Sequence, residues 1–197
     1  MEDAERAGRR LVVGLGNPGE RYRWSRHNLG FRVVDELAER WRVEWGPERC
    51  SARFSTSGPA DLAAPQTFMN RSGWSVRCLV ERFGYRAGDI LVVLDEIALP
   101  LGTLRLRGRG SPAGHRGLES VIENLRTDAV PRLRLGIAPC DGEVEGELSD
   151  FVLSEFEADE RELVEKIVQR GTDAVISWIG RGLEATMNEF NGEAVAV

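Results

Sequence analysis

The run Ile90-Leu91-Val92-Val93-Leu94 is five aliphatic residues closed on its C-terminal side by Asp95-Glu96. So short a run reads as a strand, and with no polar side it belongs at the centre of a sheet covered by helices. Leu11-Val12-Val13 is a second buried-type strand that runs into the turn residues Gly14 to Gly19. Val34, Leu37, Ala38 and Trp41 recur at helical spacing and predict a helix over about 30–41, with Asn28 as its N-cap. Residues 50–68 read as two strands around Gly58-Pro59, and a helix follows from Ser72, its cap, through Val76, Leu79 and Phe83 to Gly84. Leu104 and Leu106 alternate with Arg105 and Arg107, and Leu133, Leu135 and Ile137 with Arg132 and Arg134, giving two half-buried strands. Between them lie the loop 108–114 and a helix over 118–125; helices near 159–170 and 172–190 close the chain.

Alternating strands and helices predict a single α/β domain with a mixed sheet over 11–191, between a flexible segment 1–10 and a tail 192–197. No apolar run approaches the ~20 residues of a membrane span, and the polar N-terminus MEDAERAGRR is no secretory signal. Cys50, Cys78 and Cys140 are odd in number and far apart, which argues for a reducing compartment and against a zinc knuckle. The expectation is a soluble, cytoplasmic protein without membrane association.

The net charge of −6 points away from a general nucleic-acid binder, but the charge is unevenly spread. Seven arginines and three acids occupy 101–134, whereas eleven acids and one arginine occupy 141–165. A local basic surface for a phosphate-bearing ligand is therefore compatible with an acidic chain.

Gly14-x-Gly16-x-x-Gly19 matches the dinucleotide-binding pattern, but that motif needs a helix to begin at its glycines. Asn17-Pro18-Gly19 makes a tight turn instead, and 20–28 is too polar for a core-packing helix. The only histidines, His27 and His115, each sit in a loop before a helix. Ligand sites of open α/β sheets form at the carboxyl ends of strands. His27 in the loops after the first strand and Asp95 at the end of the most buried one suggest a general base and its orienting carboxylate. There is no Gly-x-Ser-x-Gly elbow, no cysteine near a histidine and no metal-ligand spacing. Asn17, Asn28 and Asn70 offer amides to an oxyanion or a substrate N–H. These groups fit attack by an activated water on an ester or amide.

Four strings in register carry a resemblance. They are Gly14-Leu-Gly-Asn-Pro-Gly19 with Tyr22 and Arg26-His27-Asn28-Leu-Gly30; Thr67-Phe-Met-Asn70-x-Ser72-Gly73; Asp95-Glu96; and Gly114-His115-x-Gly117-Leu118. Together, from about Leu11 to Asn191, they resemble the bacterial peptidyl-tRNA hydrolases. The resemblance implies a twisted mixed sheet flanked by helices, a monomer, and hydrolysis of the peptide–tRNA ester in peptidyl-tRNAs that leave the ribosome early, without metal or cofactor. It implies that His27 activates water, that Asp95 holds the imidazole, and that Asn17 tells a blocked aminoacyl group from a free one by accepting from a peptide N–H. Tyr22, Phe68, Met69 and Asn70 fall where the acceptor end and 3′ end of tRNA are contacted, with His115 in the same substrate site. Arg107 and Arg134 fall where a tRNA phosphate is met. Where the family usually has Gly-Gly-His-Asn-Gly, this chain has Ala113-Gly114-His115-Arg116-Gly117. Arg116 cannot accept a hydrogen bond, so altered binding of the 3′ end is expected there. The rival readings are a non-catalytic RNA-binding relative of the same fold, a nucleotide-dependent oxidoreductase and a general carboxylesterase.

Overall fold

The computed structural model describes residues 8–139, 144 and 146–192. Its sheet has seven strands: β1 (Leu11–Gly14), β2 (Gly46–Arg49), β3 (Ala52–Ser55), β4 (Asp61–Pro65), β5 (Ile90–Pro100), β6 (Leu104–Arg107) and β7 (Arg132–Ala138). They lie in the order β2-β3-β4-β1-β5-β7-β6. β4, β1, β5 and β7 are parallel, and β2, β3 and β6 add antiparallel edges, so the sheet is mixed as the pattern predicts. The helices are α1 (Leu29–Trp41), α2 (Ser72–Phe83), α3 (Arg116–Leu125), α4 (Leu148–Leu153), α5 (Arg161–Arg181) and α6 (Leu183–Phe190).

Alternation along the central strands divides the core in two. Val12, Leu62, Leu91, Val93, Leu133 and Leu135 face α1, α5 and α6. Leu11, Val13, Ala63, Ile90, Val92 and Leu94 face α2 and α3. The aliphatic run that reads as a central strand is thus buried on both faces.

Several expectations change, each for a physical reason. β5 does not stop at Asp95 but continues to Pro100, because the carboxylates of Asp95 and Glu96 both find cationic or N–H partners inside the fold. β7 is not half-buried. Arg132 is fully buried because the carbonyls of Gly110 and Asp128 receive its guanidinium. No helix break occurs near 171: Gly171 lies within α5, where a Cβ would press on Leu135 and Val33. The chain turns instead at Gly182, at φ 83°. Ser72 is the first residue of α2 rather than its cap. β2 and α4 went unread: the first has four exposed residues, and the second is one short apolar turn inside the acidic stretch.

Arg9 and Arg10, assigned by sequence to the leading segment, are tied to the domain. Arg9 pairs with Asp61 at 2.8 Å and Arg10 stacks on Trp178. Residues 1–7, 193–197 and Cys140 lie outside the described residues. Cys50 and Cys78, 28 residues apart, form a disulfide between the β2–β3 turn and α2. This corrects the reading of unpaired thiols, and the cysteines no longer carry an argument about compartment.

Candidate active site

The site begins with a close approach of backbones. A Cβ at Gly14 would strike the carbonyl of Gly30, and one at Gly30 would strike Leu15 and Val93. Only glycine at both positions lets the start of α1 rest on the ends of β1 and β5. The 3-10 turn Arg26–Asn28 just before it therefore lands above Asp95. No α-helix begins at the Gly14-to-Gly19 motif, in keeping with the tight turn read there; the first α-helix among the described residues starts at Leu29.

His27 Nδ1 lies 2.8 and 2.9 Å from the two oxygens of Asp95. A carboxylate can only accept, so Nδ1 carries the proton and Nε2 keeps its lone pair. His115 approaches the same carboxylate from α3, with Nε2 3.1 Å from Asp95 Oδ1. Its Nδ1 accepts from the Gly117 and Leu118 amides, capping the helix, so its proton is fixed on Nε2. Burial alone would raise the Asp95 pKa. The two imidazoles, by charge and hydrogen bonding, outweigh it and hold the carboxyl well below the usual range. His27, Asp95 and His115 are close enough to suggest a metal-binding cluster. The donor set does not fit one: both nitrogens that face Asp95 bear protons, and freeing His115 Nε2 would break the α3 cap.

Two asparagines build the opposite wall. Asn28 stands at the N-cap position of α1 without capping it. Its side chain instead accepts from the Asn17 N–H (2.8 Å) and donates to the Asn17 carbonyl (3.0 Å). Asn17 Oδ1 accepts from the Met69 amide at 2.8 Å, which leaves its Nδ2 as the group offered to the cavity. Asn17 therefore presents a donor, where the sequence reading expected an acceptor.

A cavity of about 530 Å³ opens over this cluster. Asn17, His27, Phe68, Met69, Asn70, Asp95, His115 and Arg116 all line it. Leu148, Val152 and Leu153 of α4 and Ile97 of β5 add an apolar wall that the sequence reading missed. The signal was weak, because one apolar turn among acids reads as solvated surface. α4 is held to the turn that carries His27 by Arg26, a buried residue whose guanidinium lies between Phe151 and Phe156 (4.5 and 4.6 Å). Arg26 also bonds both oxygens of Glu160, at 3.0 and 2.5 Å. One acid of the 141–165 run thus has an internal task.

Three candidates lie outside the cavity lining. Tyr22 is half-buried under Arg21. Arg107 is exposed on β6. Arg134 shares its face of the sheet, opposite Arg105. The Arg134 side chain is only 14% exposed; its guanidinium bonds Glu96 at 2.6 Å and the Ser111 carbonyl at 2.8 Å. Arg132 beneath it holds Gly110 O, and burial with the neighbouring Arg134 charge pushes its pKa down to about 10, still cationic at neutral pH. These two arginines buttress the loop that leads to His115, which leaves Arg105 and Arg107 as the accessible cations of this face.

An α/β domain with an imidazole–carboxylate pair and amide donors at its carboxyl rim defines a hydrolytic enzyme rather than a nucleotide-binding one. The family model for peptidyl-tRNA hydrolase matches residues 11–196. The peptidyl-tRNA hydrolase of Gemmatimonas aurantiaca is 43% identical over 189 residues, spanning 92% of this chain and 98% of the relative. That of Synechococcus sp. (strain JA-3-3Ab) is 42% identical over 186 residues, spanning 92% and 82%. The crystal structure of peptidyl-tRNA hydrolase from Acinetobacter baumannii superposes with a TM-score of 0.86 at 28% identity, covering 95% of this chain and 97% of that one. The chain belongs to the peptidyl-tRNA hydrolase family.

Proposed function

We propose that the protein hydrolyses the ester joining a peptide to the 3′ end of tRNA in peptidyl-tRNAs released early from the ribosome, returning the tRNA to translation. The observation that carries this reading is the contact of His27 Nδ1 with Asp95, from which follow a proton on Nδ1 and an Nε2 lone pair turned to the cavity that His27 lines. Nε2 takes a proton from water as the water oxygen attacks the ester carbonyl. Asp95, ionised and buried, stabilises the imidazolium that forms. The tetrahedral oxyanion is met by N–H donors, with Asn17 Nδ2 and the Asn70 amide on the cavity wall as the groups at hand. On collapse the ribose oxygen leaves with the proton from His27, giving a peptide carboxylic acid and a tRNA 3′-hydroxyl. No step needs a metal or cofactor, since the base, its orienting group and the donors all come from the chain.

Discrimination against free aminoacyl groups follows from the same asparagine. Asn17 Nδ2 bonds the carbonyl of an acylated amine, whereas a free ammonium would bring donor against donor in a partly dry site. The apolar wall of α4, Ile97 and Met69 suits the peptide side chains. Arg107, with Arg105 beside it, is the phosphate contact of the acceptor stem, and Arg116 at the cavity mouth donates to the 3′ end. Tyr22 is assigned to the acceptor end as well. In this reading the working unit is a monomer. Among the described residues no helix is long and apolar enough to cross a membrane. The cytoplasm, where tRNA is charged and used, is the place of action.

The reading is tested with N-acetyl-aminoacyl-tRNA beside the same tRNA carrying a free aminoacyl group, in chelator. Release from the blocked substrate alone supports the ester hydrolysis and the Asn17 discrimination together. Binding of both without release supports the non-catalytic RNA-binding alternative, against which stands the intact His27–Asp95 pair.

A further inference from the structure

Six large apolar side chains are conspicuously exposed among the described residues, and three of them, Phe68, Leu148 and Leu153, line the cavity. Trp74 is the most exposed of the six, at 64%, and it stands in the first turn of α2, directly after the cavity residues Phe68, Met69 and Asn70. Ser72, Gly73, Ser75 and Val76 are buried, so the outer face of this segment runs Asn70, Arg71, Trp74 without interruption. Arg71 lies with its Cζ 5.8 Å from the Trp74 ring and shows no carboxylate partner among the described residues. An uncovered indole backed by an uncommitted guanidinium is the combination that holds single-stranded nucleic acid: the ring stacks on a base and the cation meets a phosphate.

We propose that Trp74, with Arg71, is a stacking platform for an unpaired base of the tRNA 3′ end, upstream of the nucleotide that carries the ester. The inference rests on the peptidyl-tRNA reading and extends its site along α2. Asn70 lies in the 3-10 turn Met69–Arg71 that leads into α2, so at about 1.5–2 Å of rise per residue Trp74 lies about 6–7 Å beyond it. About two stacked nucleotides, at about 3.4 Å each, cover that distance. The peptide is the less suitable occupant, because its apolar wall is built by α4 and Ile97, and Arg71 supplies a cation that an anionic backbone needs.

The test uses the full chain and three variants, Trp74→Ala, Trp74→Leu and Trp74→Tyr, all at an exposed position that leaves the fold intact. Two probes are titrated: the single-stranded RNA ACCA and its analogue lacking the bases. KM and kcat are measured on N-acetyl-aminoacyl-tRNA. Trp74→Ala and Trp74→Leu are expected to weaken ACCA binding and raise KM by roughly 5- to 100-fold, the range of one base–aromatic stack, with kcat at saturation unchanged. Trp74→Tyr restores most of the loss, and the base-free analogue binds all four proteins alike. Equal ACCA affinity in the parent protein and Trp74→Ala overturns the proposal, as does full rescue by leucine, which would signal plain apolar contact with peptide or protein. If the parent cleaves the blocked substrate while ACCA binding ignores Trp74, the platform alone falls. If the parent neither cleaves nor binds, the peptidyl-tRNA reading falls and takes the platform with it.

Discussion

His27 and His115 donate to the same oxygen of Asp95, at 2.8 and 3.1 Å, and their rings lie 4.8 Å apart between centroids. Their other nitrogens differ in kind. That of His27 faces the cavity, while that of His115 accepts two backbone amides. One histidine is therefore free to exchange a proton and the other is not.

Replacing them separately should expose this difference. His27→Ala is expected to lower kcat by roughly 10²–10⁴, the usual worth of a general base, with tRNA affinity nearly unchanged. His115→Ala should keep more turnover but lose a helix cap, about 1 kcal/mol, seen as a fall of roughly 2–4 °C in Tm. Equal losses of kcat with no change in Tm would contradict the assignment.

Asp95 links the site to acid stability. Its folded pKa lies below the ordinary value, so its contribution is fully present above about pH 4, the unfolded value. It is lost as pH falls from there through the folded value. Urea unfolding at pH 7 and at pH 3 should show the parent protein losing more stability on acidification than Asp95→Asn does. A variant with the same pH dependence as the parent would show that the carboxylate is not held ionised by its neighbours.

Asn28 must both donate and accept to clasp Asn17. Asn28→Asp keeps the acceptor and sets a carboxylate against the Asn17 carbonyl, so a destabilisation of about 1–3 kcal/mol is expected. On the role proposed for Asn17 as the discriminating donor, the ratio of blocked to free aminoacyl-tRNA cleavage should fall as well. A Tm change with an unaltered ratio would reduce Asn28 to a folding role.

The arginines of β6 and β7 should separate by salt dependence. The double variant Arg105→Ala, Arg107→Ala is expected to flatten the log Kd against log salt slope by roughly 1 to 2, one phosphate per arginine. Arg134→Ala breaks its pair with Glu96, both nearly buried, and should cost about 3–5 kcal/mol of stability at an unchanged slope. Salt titrations of tRNA binding beside thermal melts decide the matter.

Reduction of Cys50–Cys78 gives a control away from the chemistry. Opening a loop of 28 residues should cost about 3–4 kcal/mol. Activity below the lowered Tm should stay unchanged, since neither sulfur lines the cavity. Chemical denaturation with and without reductant measures the first, and initial rates the second.

The sequence disclosed what depends on short-range pattern and on strand ends. Ile90 to Leu94 marks the central strand, and His27, Asp95, Asn17 and Asn70 converge because loops at the carboxyl rim of parallel strands share one place. It misled where a side chain's partner lies far along the chain. Asn28 reads as a helix cap, yet it binds a backbone eleven residues away. Arg134 reads as a phosphate contact on the open face of its strand, yet the loop at Ser111 and the side chain of Glu96 cover it. α4 was invisible because its apolar residues gain meaning only from the Arg26–Glu160 clamp that seats it over His27.

Arg132 and Arg134 grip the loop before His115 by the carbonyls of Gly110 and Ser111, not by its side chains. The path of that loop is therefore encoded in β7, and the loop's own letters are largely free of the duty to shape it. Ala113 and Arg116 illustrate the freedom: they depart from the pattern that the resemblance implies, while His115 still reaches Asp95. A catalytic scaffold wired in this way is evolvable at its rim, able to revise what it shows a substrate without disturbing the machinery that cleaves it.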